Sequence, residues 1–251
     1  MTKKLISAGC SFSETESNAC ETWPLHLIKN LSGYDLISKG MSCQGNGLIS
    51  KSVIWEVARQ LRYVSPEDII VGVEWSGTDR HEVYVNNPSQ TVFNENINGW
   101  LENPTQFAHG FRNWEILNHH WDTKKSKLYY KHFYTHRGKL IETLENILRV
   151  QNFLEKYNIK YFMTTMQSIF PPDQEVREIQ HLIDLIDQNI FLPVKGMWEW
   201  AKEHNASTGT PMHPDGFHPS SQQHKIFTET IIMPVSYTHL RAHETREDRV
   251  C

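Results

Sequence analysis

The chain has 251 residues, with 25 Lys and Arg against 29 Asp and Glu and a formal net charge of −4 at pH 7. That length suits one α/β domain with a sizeable core and an insertion. The charge balance, without a basic stripe, argues against a nucleic-acid partner, and no run approaches the roughly 18 consecutive apolar residues of a membrane span.

The opening Met-Thr-Lys-Lys leads straight into a strand-like segment, Lys4–Ala8, instead of a signal-peptide core. The chain therefore reads as cytoplasmic, or virion-associated if phage-encoded. A polar loop precedes a predicted helix over Trp23–Leu31, and Tyr34–Ser38 is a short second strand. Over Asn46–Leu61, Ile49, Val53, Ile54, Val57 and Leu61 recur at helical spacing, with Gly47 in the first turn. Asp68–Trp75 is nearly continuous in apolar residues, as a parallel strand buried on both faces requires.

Residues 81–136 break this rhythm. They are rich in asparagine and in aromatics, namely Trp100, Phe107, Phe111, Trp114, Trp121, Tyr129, Tyr130, Phe133 and Tyr134. A structureless loop of that length is unusual in a compact domain, so the segment is expected to be an insertion with its own small core, leaning over the site. Its rings either pack that core or face a cleft, where they suit sugar rings. Arg137–Tyr157 then gives the clearest helix, striped by Leu140, Leu144, Ile147, Leu148 and Leu154. Lys160–Met166 is a strand, Glu175–Gln188 a helix, Trp198–His204 a short helix, and Pro219–Ile232 a last helix opening on proline.

Beyond that helix, residues 235–251 have neither apolar periodicity nor a turn signal. They resemble the translated sequencing-adapter tails that terminate some metagenomic reading frames, and are read as a non-native, disordered tail outside a single domain of residues 1–234. Without Cys251, the cysteines are Cys10, Cys20 and Cys43, an odd count with no C-x-x-C spacing, which supports neither a disulfide framework nor a zinc ribbon.

Strands alternating with helices point to a parallel sheet covered on both faces, with any ligand beyond the carboxyl ends of the strands. Four segments fall at those ends or in the last loop: Gly9-Cys10-Ser11-Phe12-Ser13 after strand one, Gly45-Asn46-Gly47 after strand two, Ser76 after strand three, and Asp215-Gly216-Phe217-His218. A lone serine in such a place is often a helix cap, and an Asp-x-x-His can be a capping turn. Together they offer a nucleophile, a base and a group to orient the base. Cys10 adjoins Ser11, but neighbouring strand residues point to opposite faces, and only one can face the site.

In order and separation these segments resemble the four blocks of the SGNH, or GDSL-like, hydrolase superfamily, over about Lys3 to Met233 less the insertion. The resemblance implies a flavodoxin-like three-layer α/β/α sandwich with a parallel central sheet, and esterase chemistry on lipids, acylated sugars or thioesters, without a cofactor. Ser11 would be the nucleophile, His218 its general base and Asp215 the carboxylate fixing the imidazole tautomer. The oxyanion hole would draw on the backbone N–H groups of Ser11 and Gly45, glycine letting the backbone approach the substrate, and on a side chain at Ser76, where the family has asparagine.

Asn46, Trp75, Thr78, Arg80 and His213 are the candidate substrate contacts, Arg80 for an anionic group. His213, Asp215 and His218 lack further ligands at zinc spacing, and His119, His120, His132 and His136 match no metal site, so no metal is expected. The expected partner is a small ester, such as an O-acetyl group on a glycan. The rivals are an SGNH-like binding module for a glycan or a protein, its oxyanion hole weakened at Ser76, and an acyltransferase.

Overall fold

The computed structural model describes residues 2–15, 20–84, 114–170 and 177–235. In chain order its elements are β1 (Lys3–Gly9), α1 (Trp23–Ile28), β2 (Tyr34–Gly40), α2 (Asn46–Gln60), β3 (Ile69–Trp75), β4 (Arg80–Tyr84) and β5 (Trp114–Asn118). Next come α3 (Lys124–His132), α4 (His136–Lys156), β6 (Lys160–Thr165), α5 (Gln180–Ile183), α6 (Met197–Thr208) and α7 (Ser221–Phe227).

Four parallel strands form the central sheet in the order β2-β1-β3-β6. Strand alternation divides their side chains between two cores. Leu5, Ile70 and Phe162 point to one, closed by Trp23, Leu27, Met197 and Phe227 of α1, α6 and α7. Ile6, Val71 and Met163 point to the other, closed by Ile49, Val53 and Val57 of α2 and by Leu144 and Ile147 of α4. This is the expected three-layer α/β/α arrangement. It explains why β3 is buried along its whole length, each such aliphatic side chain contributing about 1.5–3 kcal/mol of burial.

Two expected helices differ. In place of a helix over Glu175–Gln188, the described residues form only the single turn α5 and a 3-10 turn at Gln188–Ile190. The Asp187 N–H donates to Gln151 Oε1, and its carboxylate accepts from the Asn189 N–H, so the backbone leaves the helical ladder there. The last helix starts at Ser221, not at the proline. Ser220 and Gln223 form a reciprocal capping box one residue after Pro219.

Within the insertion, β4 and β5 pair antiparallel, from Arg80 opposite Asn118 to Tyr84 opposite Trp114. The Tyr130 hydroxyl of α3 donates to the carbonyls of Asp79 and Leu117, fastening α3 across the base of this hairpin. Trp100, Phe107 and Phe111 fall outside the described residues, as does the expected foreign tail beyond Val235. Among the described residues, no helix is long and apolar enough to cross a membrane.

Candidate active site

At the carboxyl end of β1 the chain turns into a 3-10 helix, Ser11–Ser13. The Ser11 hydroxyl lies 2.9 Å from His218 Nε2, and His218 Nδ1 lies 2.5 Å from Asp215 Oδ2. Asp215 sits in a turn of its own making, its Oδ1 accepting the backbone N–H groups of Phe217 and His218, each at 2.9 Å. Partial burial pushes its carboxyl up, but these backbone bonds and the His218 imidazole outweigh that and hold it down at about 2. An anionic acceptor on Nδ1 leaves Nε2 unprotonated toward the serine, the arrangement a general base needs. Phe12, fully enclosed, packs its ring 5.1 Å from that of His218 between centroids and limits its swing.

Ser11, Asp215 and His218 line a pocket of about 30 Å³ together with Glu14, Cys20, Thr22, Ser42, His213, Pro219 and His224. That is room for one or two water molecules, or a very small acyl group. His213 Nδ1 lies 3.2 Å from Asp215 Oδ2, so two imidazoles share one carboxylate oxygen. Burial lowers His224 to about 3, so the pocket wall it forms is neutral. None of the insertion's described rings lines this pocket.

Several expected contacts lie elsewhere. Ser76 is fully enclosed and does not line the pocket, which corrects its reading as the third oxyanion donor. Its peptide is clasped by Asn46, whose Oδ1 accepts the Ser76 N–H at 2.7 Å while Nδ2 donates to the Ser76 carbonyl at 3.0 Å and to Thr143 Oγ1 at 3.1 Å. Asn46 is thereby a structural clamp, not a substrate contact. Trp75 is likewise a core residue, its indole N–H directed at Met163 Sδ. Arg80 donates to the Gln44 carbonyl at 3.3 Å instead of facing the pocket, and Thr78 is half-buried outside it. Cys10 belongs to the core, its thiol pushed up to about 11 by burial.

Pattern reading had missed Glu14, Thr22, Ser42 and His224, single polar residues on separate loops and helices with no motif to mark them. Ser42 donates to Glu14 Oε2 at 2.5 Å and Thr22 Oγ1 donates to the Glu14 backbone carbonyl at 2.8 Å, so the pocket lining includes a carboxyl held by Ser42. It had also missed Glu74. This fully buried carboxyl on β3 accepts from Ser13 Oγ, which in turn accepts the Trp23 indole N–H at 2.8 Å.

Burial pushes Glu74 up to about 8, against the opposing pull of Ser13 and Arg80. A carboxyl raised in the folded state contributes stability that is fully present below its unfolded value of about 4.3 and is lost as pH rises through the folded value. Glu74→Gln is therefore expected to unfold at nearly the wild-type temperature at pH 5 and several degrees above it at pH 9, at roughly 2–4 °C per kcal/mol. Parallel melting profiles for the two proteins across that range would show that Glu74 does not titrate with folding.

A family model described as a family of unknown function, DUF6071, matches residues 11–248, running beyond the last described residue. No curated protein matches the chain. Among solved structures, the crystal structure of TesA is similar at 12% identity and a TM-score of 0.50, over 94% of this chain and 99% of that one. A member of the lipolytic G-D-S-L family from Veillonella parvula aligns at 7% identity and a TM-score of 0.44, over 90% of this chain and 94% of that one. A catalytic mutant of an acetylxylan esterase from Geobacillus stearothermophilus aligns at 12% and 0.43, over 95% and 94%. The likeness to TesA concerns the fold alone.

Proposed function

We propose that this chain, which belongs to the DUF6071 family, is a serine esterase that cleaves a small ester, such as an O-acetyl group on a glycan, through an acyl-enzyme at Ser11. The observation that carries the reading is the unbroken relay from Ser11 Oγ to His218 Nε2 and from His218 Nδ1 to Asp215. His218 takes the Ser11 proton as Oγ attacks the ester carbonyl, then returns it to the leaving alcohol; water attacks the acyl-enzyme by the same route. The Ser11 backbone N–H is the donor that the pocket supplies to the developing oxyanion; a second donor, the Gly45 N–H, rests on the family resemblance alone.

A pocket of about 30 Å³ favours an acyl group of acetyl size, and the Glu14 carboxyl in its lining favours a hydroxyl-bearing leaving group, as a sugar is. The test is labelling with a fluorophosphonate, which needs only an activated serine. The expected result is a single adduct on the peptide containing Ser11 and a matching loss of p-nitrophenyl acetate hydrolysis. An unlabelled Ser11 under conditions that leave the protein folded would make the chain a binding module instead.

A further inference from the structure

The insertion meets the β2–α2 loop, which lines the candidate pocket at Ser42 and runs on to Gly45. A Cβ placed on Gly45 would lie 2.1 Å from Glu82 Oε1 and 3.0 Å from Arg80 Cβ, and one on Gly47 would lie 2.6 Å from Glu82 Oε2. The room that these glycines leave is taken by a carboxylate from β4, which is a different reason for glycine from the close substrate approach expected of the sequence. Glu82 is enclosed, with 7% of its surface exposed, and accepts the Leu48 backbone N–H in the first turn of α2. Its Oε1 has no hydrogen-bond partner among the described residues. Burial pushes the Glu82 carboxyl up to about 7, against the pull of Lys139 of α4 and Lys51 of α2, with Glu142 adding to the rise. One residue pair back on the strand, Arg80 donates to the Gln44 carbonyl.

We infer that Glu82 is a positioning residue, the strut by which the inserted hairpin holds the Gly45–Leu48 turn and, with it, the Gly45 N–H that the esterase reading takes as an oxyanion donor. A helix that opens with Gly-Asn-Gly around its N-cap has a soft first turn, because each glycine leaves the backbone free to move. A carboxylate at the N-terminus of α2 also satisfies an otherwise unpaired donor and complements the helix dipole. From the opposite side the Gln44 carboxamide, in the orientation that satisfies both its ends, donates to the carbonyls of Gly9 and Lys39 at 2.9 and 3.0 Å. The loop is thus pinned to β1 and β2 by its own side chain and to the insertion by Glu82. This inference rests on the esterase reading for its catalytic part.

The test pairs Glu82→Asp, which keeps the carboxyl but withdraws it by one methylene, with Glu82→Gln, which keeps the reach and an acceptor oxygen but not the acid. Backbone amide exchange of residues 44–48 and Ser11-dependent p-nitrophenyl acetate hydrolysis are both measured on the full chain. The expected result for Glu82→Asp is exchange about tenfold faster in that segment alone, with kcat about tenfold lower and KM within about twofold. Glu82→Gln is expected to stay within about threefold of wild type in both. Wild-type exchange in Glu82→Asp overturns the strut, and faster exchange with unchanged kcat overturns its catalytic role. Absence of Ser11-dependent turnover in the parent chain overturns the esterase reading and leaves the exchange result to stand or fall by itself.

Discussion

Ser11→Ala is expected to lower p-nitrophenyl acetate turnover by about 10⁴-fold or more while leaving the fold in place. The substitution removes one hydroxyl from a half-buried residue whose hydroxyl contact is the hydrogen bond to His218. A hydrogen bond of that kind is worth on the order of 1 kcal/mol, so the melting temperature should move by only a few degrees. Turnover is another matter, because without the hydroxyl no acyl-enzyme forms and only the oxyanion donors and binding remain. In other Ser-His-Asp enzymes, loss of the serine alone costs about as much as loss of the whole triad, roughly 10⁶-fold. Steady-state rates beside a thermal melt decide the matter. Turnover within tenfold of wild type in a folded Ser11→Ala protein would remove Ser11 from the nucleophile's role.

Much of the architecture was readable from sequence because burial leaves a periodic trace. β3 shows it as an unbroken apolar run, and α4 as Leu140, Leu144, Ile147 and Leu154 at helical spacing, all four buried. The segment after β6 was misread because Ile179, Leu182, Ile183 and Ile186 carry a helix-like spacing. What ends the helix is tertiary, the Gln151 side chain from α4 taking the Asp187 N–H. At the site, Ser11 and Asp215 each fall within hydrogen-bond reach of His218. Their segments had a spacing to mark them. Ser76 and Asn46 had the same kind of mark, yet Asn46 spends its amide on the Ser76 peptide and Thr143, and the Ser76 hydroxyl is buried without a hydrogen-bond partner among the described residues. Side-chain direction just past a strand end depends on the local turn, which no periodicity encodes. Glu82 was invisible for a related reason: its significance lies in two glycines some 35 residues earlier in the chain, and contacts between segments leave no local pattern.

Asp215→Asn should cost turnover nearly as much, about 10³–10⁴-fold, with less effect on the loop than its position suggests. Asparagine keeps one oxygen, and the two backbone N–H groups of Phe217 and His218 that now bond to Oδ1 would hold it in place. Its amide nitrogen then faces His218 Nδ1 and can only donate. The imidazole must accept there, which moves its proton to Nε2, where it points at Ser11 and blocks removal of the hydroxyl proton. In the wild type the carboxyl is held down at about 2, below its unfolded value of about 3.9. A carboxyl depressed in this way contributes stability above the unfolded value that is lost as pH falls through the folded one. The Asp215 charge therefore stays in place through any neutral or mildly acidic assay, and no loss of activity above about pH 4 arises from its protonation. Nitrogen-15 spectra of the His218 ring separate the tautomers, with the proton on Nδ1 in wild type and on Nε2 in the variant. Near-normal turnover in a folded Asp215→Asn protein whose ring proton has moved to Nε2 would mean that His218 is not the base, and the pocket would then need another group from the titratable side chains that also line it, Glu14, Cys20, His213 and His224.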